Sequence, residues 1–142
     1  MDKYNTELFG EFTYAESITY EDLLRYETML LKYLEEILAD SGAEHLDFTP
    51  LGDTLMFQCA FITQNLEILR DMSDEICALL PAGVRGKLMC LQKSLTTYHL
   101  FWLKRGQWQE KEYILPWHGP EEAPVHKVAV LEEETESGIG KD

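Results

Sequence analysis

The sequence lacks the cysteine patterns that would indicate a disulfide framework or a thiolate metal site. Its three cysteines, Cys59, Cys77 and Cys90, form no CxxC pair and lie within apolar stretches. Disulfide-rich secreted domains and zinc ribbons carry cysteines in pairs at short spacings. Each cysteine is therefore predicted to be a small buried hydrophobic residue in a reducing compartment.

Long hydrophobic runs are absent as well. The first residues, MDKYNTELFG, have neither the basic end nor the apolar run of a signal peptide. No apolar segment approaches the roughly 18 residues that a membrane-spanning helix requires. Together with the cysteine usage, these absences predict a cytoplasmic protein that does not enter a membrane.

Motifs for nucleophilic and metal-dependent catalysis are also missing. The sequence has no GxSxG and no HExxH, and none of its four histidines follows a glutamate by three positions. The weak metal-binding candidates are His99 and an acidic row with a spacing of four, Glu67, Asp71 and Glu75. Because such rows are usually solvated helix faces, we predict no metal, no cofactor and no catalytic residue.

Acidic residues are absent from one stretch of an otherwise acidic chain with a net charge of −14. Residues 83–109 hold five bases and no acid, whereas residues 1–82 hold 17 acids and four bases. The large negative charge argues against direct binding of nucleic acid. The favoured interpretation is that the basic stretch pairs with acidic neighbours inside the molecule. The alternative is that it binds an acidic partner.

The apolar residues that are present recur at spacings typical of amphipathic helices. The first predicted helix covers about 19–40, with Thr19 as its N-cap, and the second covers about 50–80. The third covers about 84–105 and is predicted to be the central element. Its inward stripe consists of Val84, Leu88, Leu91, Leu95, Tyr98 and Trp102.

These helices predict a mainly α fold, an antiparallel bundle in a single domain over 1–131. Residues 1–17 are predicted to form an arm that packs on this body. Two segments rich in β-forming residues, 108–115 and 125–131, predict a C-terminal hairpin or two extended arms. Residues 132–142 form a predicted acidic, flexible tail.

Aromatic residues cluster where the third predicted helix ends. They either pack under the C-terminal arms, which is the favoured interpretation, or form an exposed anchor for a protein partner. A homodimer would satisfy both interpretations. The hypothetical partner-binding residues are Phe101, Trp108, Tyr113 and Trp117, with Lys104 and Arg105 beside them.

The leading functional hypothesis is therefore a non-enzymatic, acidic helical module for protein–protein interaction. Such a module could act as an adaptor, a chaperone or a regulator, or as an inhibitor that mimics nucleic acid. The alternative is a small helical-bundle enzyme or metal-binding protein that uses His99 with carboxylates of the second helix.

Overall fold

The structure, a computed structural model, describes residues 4–93 and 97–114 of the chain. In this part of the chain, six strands form one antiparallel sheet in the order β2-β3-β1-β4-β5-β6, and two helices accompany it. The elements in chain order are β1 (Thr6–Tyr14), α1 (Tyr20–Asp40), β2 (Glu44–Pro50), β3 (Thr54–Phe61), α2 (Leu66–Leu79), β4 (Val84–Gln92), β5 (Thr97–Lys104) and β6 (Gln107–Ile114).

The first four strands and both helices follow the split βαβ, or ferredoxin-like, order. Each helix connects two strands that lie two apart in the sheet, so that α1 joins β1 to β2 and α2 joins β3 to β4. Antiparallel neighbours then add β5 and β6 beyond β4. These two strands widen the sheet on one side, and both contact α2.

The core lies between the two helices and one face of the sheet. Alternate strand residues point into it, because side chains of a strand alternate between the two faces. From α1 it receives Leu30, Leu34 and Leu38, a stripe with a spacing of four. The buried strand residues of the core are Leu8, Phe12, Tyr14, Leu55, Phe57, Cys59, Phe61, Val84, Leu88, Cys90, Phe101 and Leu103.

Two glycines allow phenylalanine rings to lie directly on the central strands. A Cβ at Gly10 would lie 1.9 Å from Phe57 Cε2, and one at Gly86 would lie 2.5 Å from Phe12 Cε1. The rings of Phe12 and Phe57 are stacked, with centroids 6.2 Å apart. Gly10 therefore lies within β1 and makes room for the core.

The prediction of a three-helix bundle is wrong, although its first helix is present as α1. Thr19 caps that helix by accepting a hydrogen bond from the backbone N–H of Asp22. The second predicted helix is instead the strand β3 followed by the shorter helix α2, which starts after its own N-cap, Asn65. Likewise, the N-terminal segment predicted to be an arm contains β1, which lies inside the sheet.

The third predicted helix, 84–105, is replaced by β4 and β5, and the spacing of its apolar residues explains the error. A step of four residues returns to the same side in a strand as well as in a helix. Val84 and Leu88 are both buried in the core, but Leu91, Tyr98 and Trp102 lie on the other face of the sheet. Leu95, the remaining predicted core residue of this stripe, lies outside the described residues.

The structure describes only part of the C-terminal segments. Residues 108–114 of the predicted extended segment 108–115 lie in β6, which pairs with β5 through a short turn. Residues 125–131, the acidic tail at 132–142 and Trp117 lie outside the described residues. Neither described helix is both long and apolar enough to cross a membrane.

Candidate functional site

The sheet has one face packed on the helices and a second face, here called the open face, that no described element covers. Alternate residues of β4, β5 and β6 form one half of it. From the strand pairing and the burial pattern, these residues are Arg85, Lys87, Met89 and Leu91 on β4, Tyr98, Leu100, Trp102 and Lys104 on β5, and Gln107, Gln109, Lys111 and Tyr113 on β6.

An apolar patch occupies the middle of the open face. Met89 is the cross-strand neighbour of Phe9 on one side and of Leu100 on the other. Tyr98 and Tyr113 stack, with ring centroids 5.1 Å apart. Leu100 is only 6% exposed although it lies outside the main core cluster. The apolar patch consists of Phe9, Met89, Leu91, Tyr98, Leu100, Trp102 and Tyr113.

Positive charge borders this patch on β4, β5 and β6, whereas Glu7 and Glu11 border it on β1. The open-face positions of β4, β5 and β6 hold four cations, Arg85, Lys87, Lys104 and Lys111, and no carboxylate. By contrast, α1 carries six acids and two bases, and α2 carries four acids and one base. The charge segregation of the sequence thus becomes a separation in space, with acidic helices on one side and, on the other, a basic half of the open face formed by β4, β5 and β6, next to Glu7 and Glu11 of β1.

Three cations converge at one end of the open face, and we call Arg85, Lys104 and Arg105 the basic corner. Because Gly86 pairs with Leu103, Arg85 and Lys104 are adjacent across two strands on the same face. Arg105 lies in the turn between β5 and β6. Among residues 4–93 and 97–114, no carboxylate oxygen lies within 4.0 Å of any of the three.

Two cavities meet at the basic corner. The first, of about 420 Å³, is lined by Arg85, Trp102 and Lys104, together with residues of β6. The second, of about 660 Å³, is lined by Arg85, Lys104 and Arg105, together with the end of β1. Both cavities share Arg85, Lys104 and Gln107. The unpaired cations therefore border a concave surface rather than a flat one.

The opposite face of β5 and β6 carries a polar network instead. Glu110 accepts hydrogen bonds from Arg70 at 2.6 and 3.0 Å, and His99 Nδ1 lies 3.1 Å from a Glu110 oxygen. The hydrogen bonds from Arg70, followed by its charge and by His99, hold the pKa of Glu110 below its usual value despite the opposing effect of burial. His99 Nε2 lies 3.4 Å from Glu112. The network fastens the added hairpin to α2.

The structure distributes the predicted partner-binding residues over both faces. Phe101 is fully buried, and Trp108 lies on the helix face, where its Nε1 donates a hydrogen bond to Asp74 at 2.7 Å. Tyr113 and Lys104 lie on the open face, and Arg105 lies in the adjacent turn. The prediction overlooked five further open-face residues, which the alternation of β4, β5 and β6 could have revealed: Arg85, Lys87, Met89, Trp102 and Lys111.

The weak metal candidates are separated. Glu67, Asp71 and Glu75 are exposed on α2, whereas His99 is buried on β5 beside the carboxylates of β6. Among the residues that the structure describes, no group of three or more histidine, cysteine, aspartate or glutamate side chains has an arrangement that could hold a metal ion.

The three cysteines are free thiols in the interior. Burial raises the pKa of Cys59 and of Cys90 to about 12, and it raises the pKa of Cys77 as well. The thiolate is the nucleophilic form of cysteine, and burial disfavours it at all three positions. These residues contribute to packing, in keeping with their place in apolar stretches of the sequence.

Comparison of the chain with protein families, with curated proteins and with solved structures finds no match in any of the three. A ferredoxin-like order of elements by itself does not specify a function, because one fold serves many activities. Function is therefore inferred from the side chains of the open face.

Proposed function

We propose that this protein is a non-enzymatic protein-binding domain whose open face receives an acidic segment of another protein. The observation that carries the proposal is the charge of that face: four cations and no carboxylate on β4, β5 and β6, in a chain of net charge −14. Such a distribution attracts a negatively charged partner to one side of the molecule and repels it from the helices.

The apolar patch supports a protein as the partner. Centres of protein interfaces are enriched in Tyr, Trp, Phe, Met and Arg. Tyr98, Trp102, Met89 and Phe9 are partly exposed side chains of this kind and lie side by side. An acidic segment with interspersed apolar side chains would cover the patch while its carboxylates face the surrounding cations.

Charge also argues against the alternatives. Two copies that met symmetrically through their open faces would bring the four cations of one copy towards those of the other. A nucleic acid would meet a single basic half-face in a molecule whose two helices carry a net charge of −7. Self-association and nucleic-acid binding are therefore outcomes for the experiment to exclude.

The proposed setting is the cytoplasm. Support comes from the three unpaired, buried cysteines, because thiols in oxidising compartments are usually paired in disulfides.

The proposal is tested by photo-crosslinking in cells of the natural source. A photoreactive amino acid replaces Met89 on the open face or, in the control protein, Leu24, which is 43% exposed on α1. We expect a cross-link from position 89 and none from position 24, with mass spectrometry placing it in an acidic segment of another protein. The double variant Arg85→Glu/Lys104→Glu should lower the yield at position 89 at least about tenfold.

Three results would contradict the proposal. The first is equal cross-linking from positions 89 and 24. The second is a cross-linked segment that is neutral or basic, or that belongs to a second copy of this chain or to a nucleic acid. The third is a yield that is insensitive to the double charge reversal while circular dichroism confirms that the variant is folded.

A further inference from the structure

The arrangement of the basic corner differs from that of Lys87 and Lys93. Lys87 Nζ lies 3.5 Å from Glu11, and Lys93 Nζ lies 3.7 Å from Glu7. Arg85, in contrast, pairs across the sheet with Thr13 on one side and is adjacent to Lys104 on the other. Like charges directly opposite each other on neighbouring strands are destabilising. Among residues 4–93 and 97–114, no carboxylate lies close enough to this cation pair to form a salt bridge with it.

The surroundings of the basic corner indicate the missing group. Arginine presents a planar fork of donors that fits two oxygens of one anion, and lysine adds a point charge. Next to them, the half-buried indole of Trp102 lines the same cavity as Arg85 and Lys104. The side-chain amides of Gln107 and Gln109 complete that wall. The cavity thus combines a site for a compact anion with a flat aromatic surface and amides that can donate and accept hydrogen bonds.

We propose that the basic corner and Trp102 bind a phosphate monoester that carries a planar ring, the shared chemistry of a nucleotide and of a phosphotyrosine side chain. Arg85 and Lys104 hold the phosphate, Arg105 adds to the positive potential, and the ring lies against Trp102. A phosphate monoester carries about −1.5 to −2 charges near neutral pH, which suits two or three cations better than a single carboxylate does.

The site shares Arg85, Lys104 and Trp102 with the surface proposed for the protein partner, but it occupies one end of the open face, whereas Met89 and Phe9 lie nearer the middle. The negative charge of the rest of the molecule also affects the affinity of this site for anions. The net charge of −14 opposes every anion at long range, and added salt screens both this repulsion and the local attraction. Binding experiments therefore use one fixed ionic strength near the physiological value.

The test measures binding of four probes to the full chain by isothermal titration calorimetry: AMP, phosphotyrosine, adenosine and inorganic phosphate. We expect AMP or phosphotyrosine to bind at least about tenfold more tightly than inorganic phosphate, and adenosine to bind no more tightly than inorganic phosphate. AMP as the tighter ligand identifies a nucleotide site, and phosphotyrosine identifies a site for phosphorylated proteins.

Variants separate the roles of the groups. Arg85→Gln/Lys104→Gln should lower the affinity for the favoured ester at least about tenfold, whereas the matched charge removal on α1, Arg25→Gln/Lys32→Gln, should not lower it. Trp102→Leu should reduce the affinity for the ester to that for inorganic phosphate. Amide chemical shifts of the unmodified protein provide a second measurement that does not depend on variant folding, and they should change around residues 85 and 102–107.

The proposal is overturned if neither ester binds at millimolar concentration, or if removal of the two cations leaves affinity unchanged. It is also overturned if inorganic phosphate binds as tightly as both esters, or if the chemical shifts change elsewhere. Cross-linking from position 89 reports on the protein partner separately, so failure of one proposal can be recognised while the other stands.

Discussion

Replacement of Gly10 by alanine would test the packing of the sheet centre directly. The new Cβ would lie 1.9, 2.4 and 2.6 Å from three carbons of the Phe57 ring. Carbon atoms in contact normally lie about 3.5–4.0 Å apart, so the ring would have to retreat by roughly 1.5 Å. Phe57 is 3% exposed and has Phe12 and Phe48 beside it, with ring centroids 6.2 and 5.8 Å away. The backbone of β1 cannot yield easily, since strands flank it on both sides.

The expected magnitude follows from two opposing effects. Overpacking of a closed core costs about 1–3 kcal/mol, and we take the upper end because both ring and backbone are confined. Alanine is better than glycine in a strand interior by about 0.5–1 kcal/mol. Gly10→Ala should therefore lower the free energy of unfolding by about 2 kcal/mol. In urea, that corresponds to a decrease of about 1 M in the unfolding midpoint.

A double-mutant cycle distinguishes the steric effect from general damage to the strand. Phe57→Leu removes the ring carbons that would clash and by itself should cost about 2 kcal/mol. With leucine at position 57, the added methyl group should cost almost nothing, so the double variant should be about 2 kcal/mol more stable than additivity predicts. Thr13→Ala, an exposed position on the same strand, is the control and should change stability by less than about 0.5 kcal/mol. A loss below 0.5 kcal/mol for Gly10→Ala, or strict additivity in the cycle, would refute the argument.

Three further predictions use the same urea assay or a thiol assay. Glu110→Gln should lower the free energy of unfolding by about 1–2 kcal/mol at pH 7. Because the folded-state pKa of Glu110 is lowered, this difference is fully present above the ordinary glutamate pKa of about 4.3 and is lost as the pH falls through the lowered folded-state pKa. A difference that does not decrease between pH 7 and pH 2.5 would contradict the assigned role of the carboxylate. Leu88→Ala should lower the free energy of unfolding by about 2–5 kcal/mol and Leu91→Ala by about 1 kcal/mol, because of the two only Leu88 is fully buried. Equal losses of stability in the two variants would be inconsistent with the strand register. Finally, the buried thiols of Cys59 and Cys90 should react with Ellman's reagent at pH 8 far more slowly in the native protein than in denaturant, and equal rates would argue against their burial.

The sequence permitted prediction of α1 because several independent signals coincide there. Thr19 is a good N-cap, acids follow in the first turn, and Leu30, Leu34 and Leu38 lie on one side of 21 residues without a glycine or proline. No strand can be that long and keep so narrow an apolar stripe. Local propensity, capping and periodicity therefore all favoured the same element.

The strands were misassigned because their buried residues also satisfy helical spacing. Leu55 and Cys59, like Val84 and Leu88, are four residues apart, which suits either structure. The intervening residues were the better guide. Phe57 between the first pair and the small Gly86 between the second complete an alternation with a period of two.

Because of the same error of period, the predicted site combines residues from both faces of the sheet. On a helical projection, Phe101 appeared to be exposed and Trp102 buried. On a strand, the two neighbours point to opposite faces, and the structure places Phe101 in the core and Trp102 on the open face. Lys104 and Arg105 were recognised by their charge, but Arg85 joins them only through the pairing of β4 with β5. The spacing of residues along the sequence does not show which strands pair or in which register.

The position of β1 in the sheet has a consequence for how the protein is synthesised and folds. β1 precedes both of its partners in the chain, and Gly10 pairs with Phe57 on one side and Leu88 on the other. Closing contacts over roughly fifty and eighty residues is entropically costly and slow compared with the formation of α1. On the ribosome, β1 emerges early with two unpaired edges, and it acquires its second neighbour only after β4 has been made. The strand at the centre of the finished sheet is therefore exposed for the longest time during synthesis, which makes it the segment most dependent on protection from aggregation.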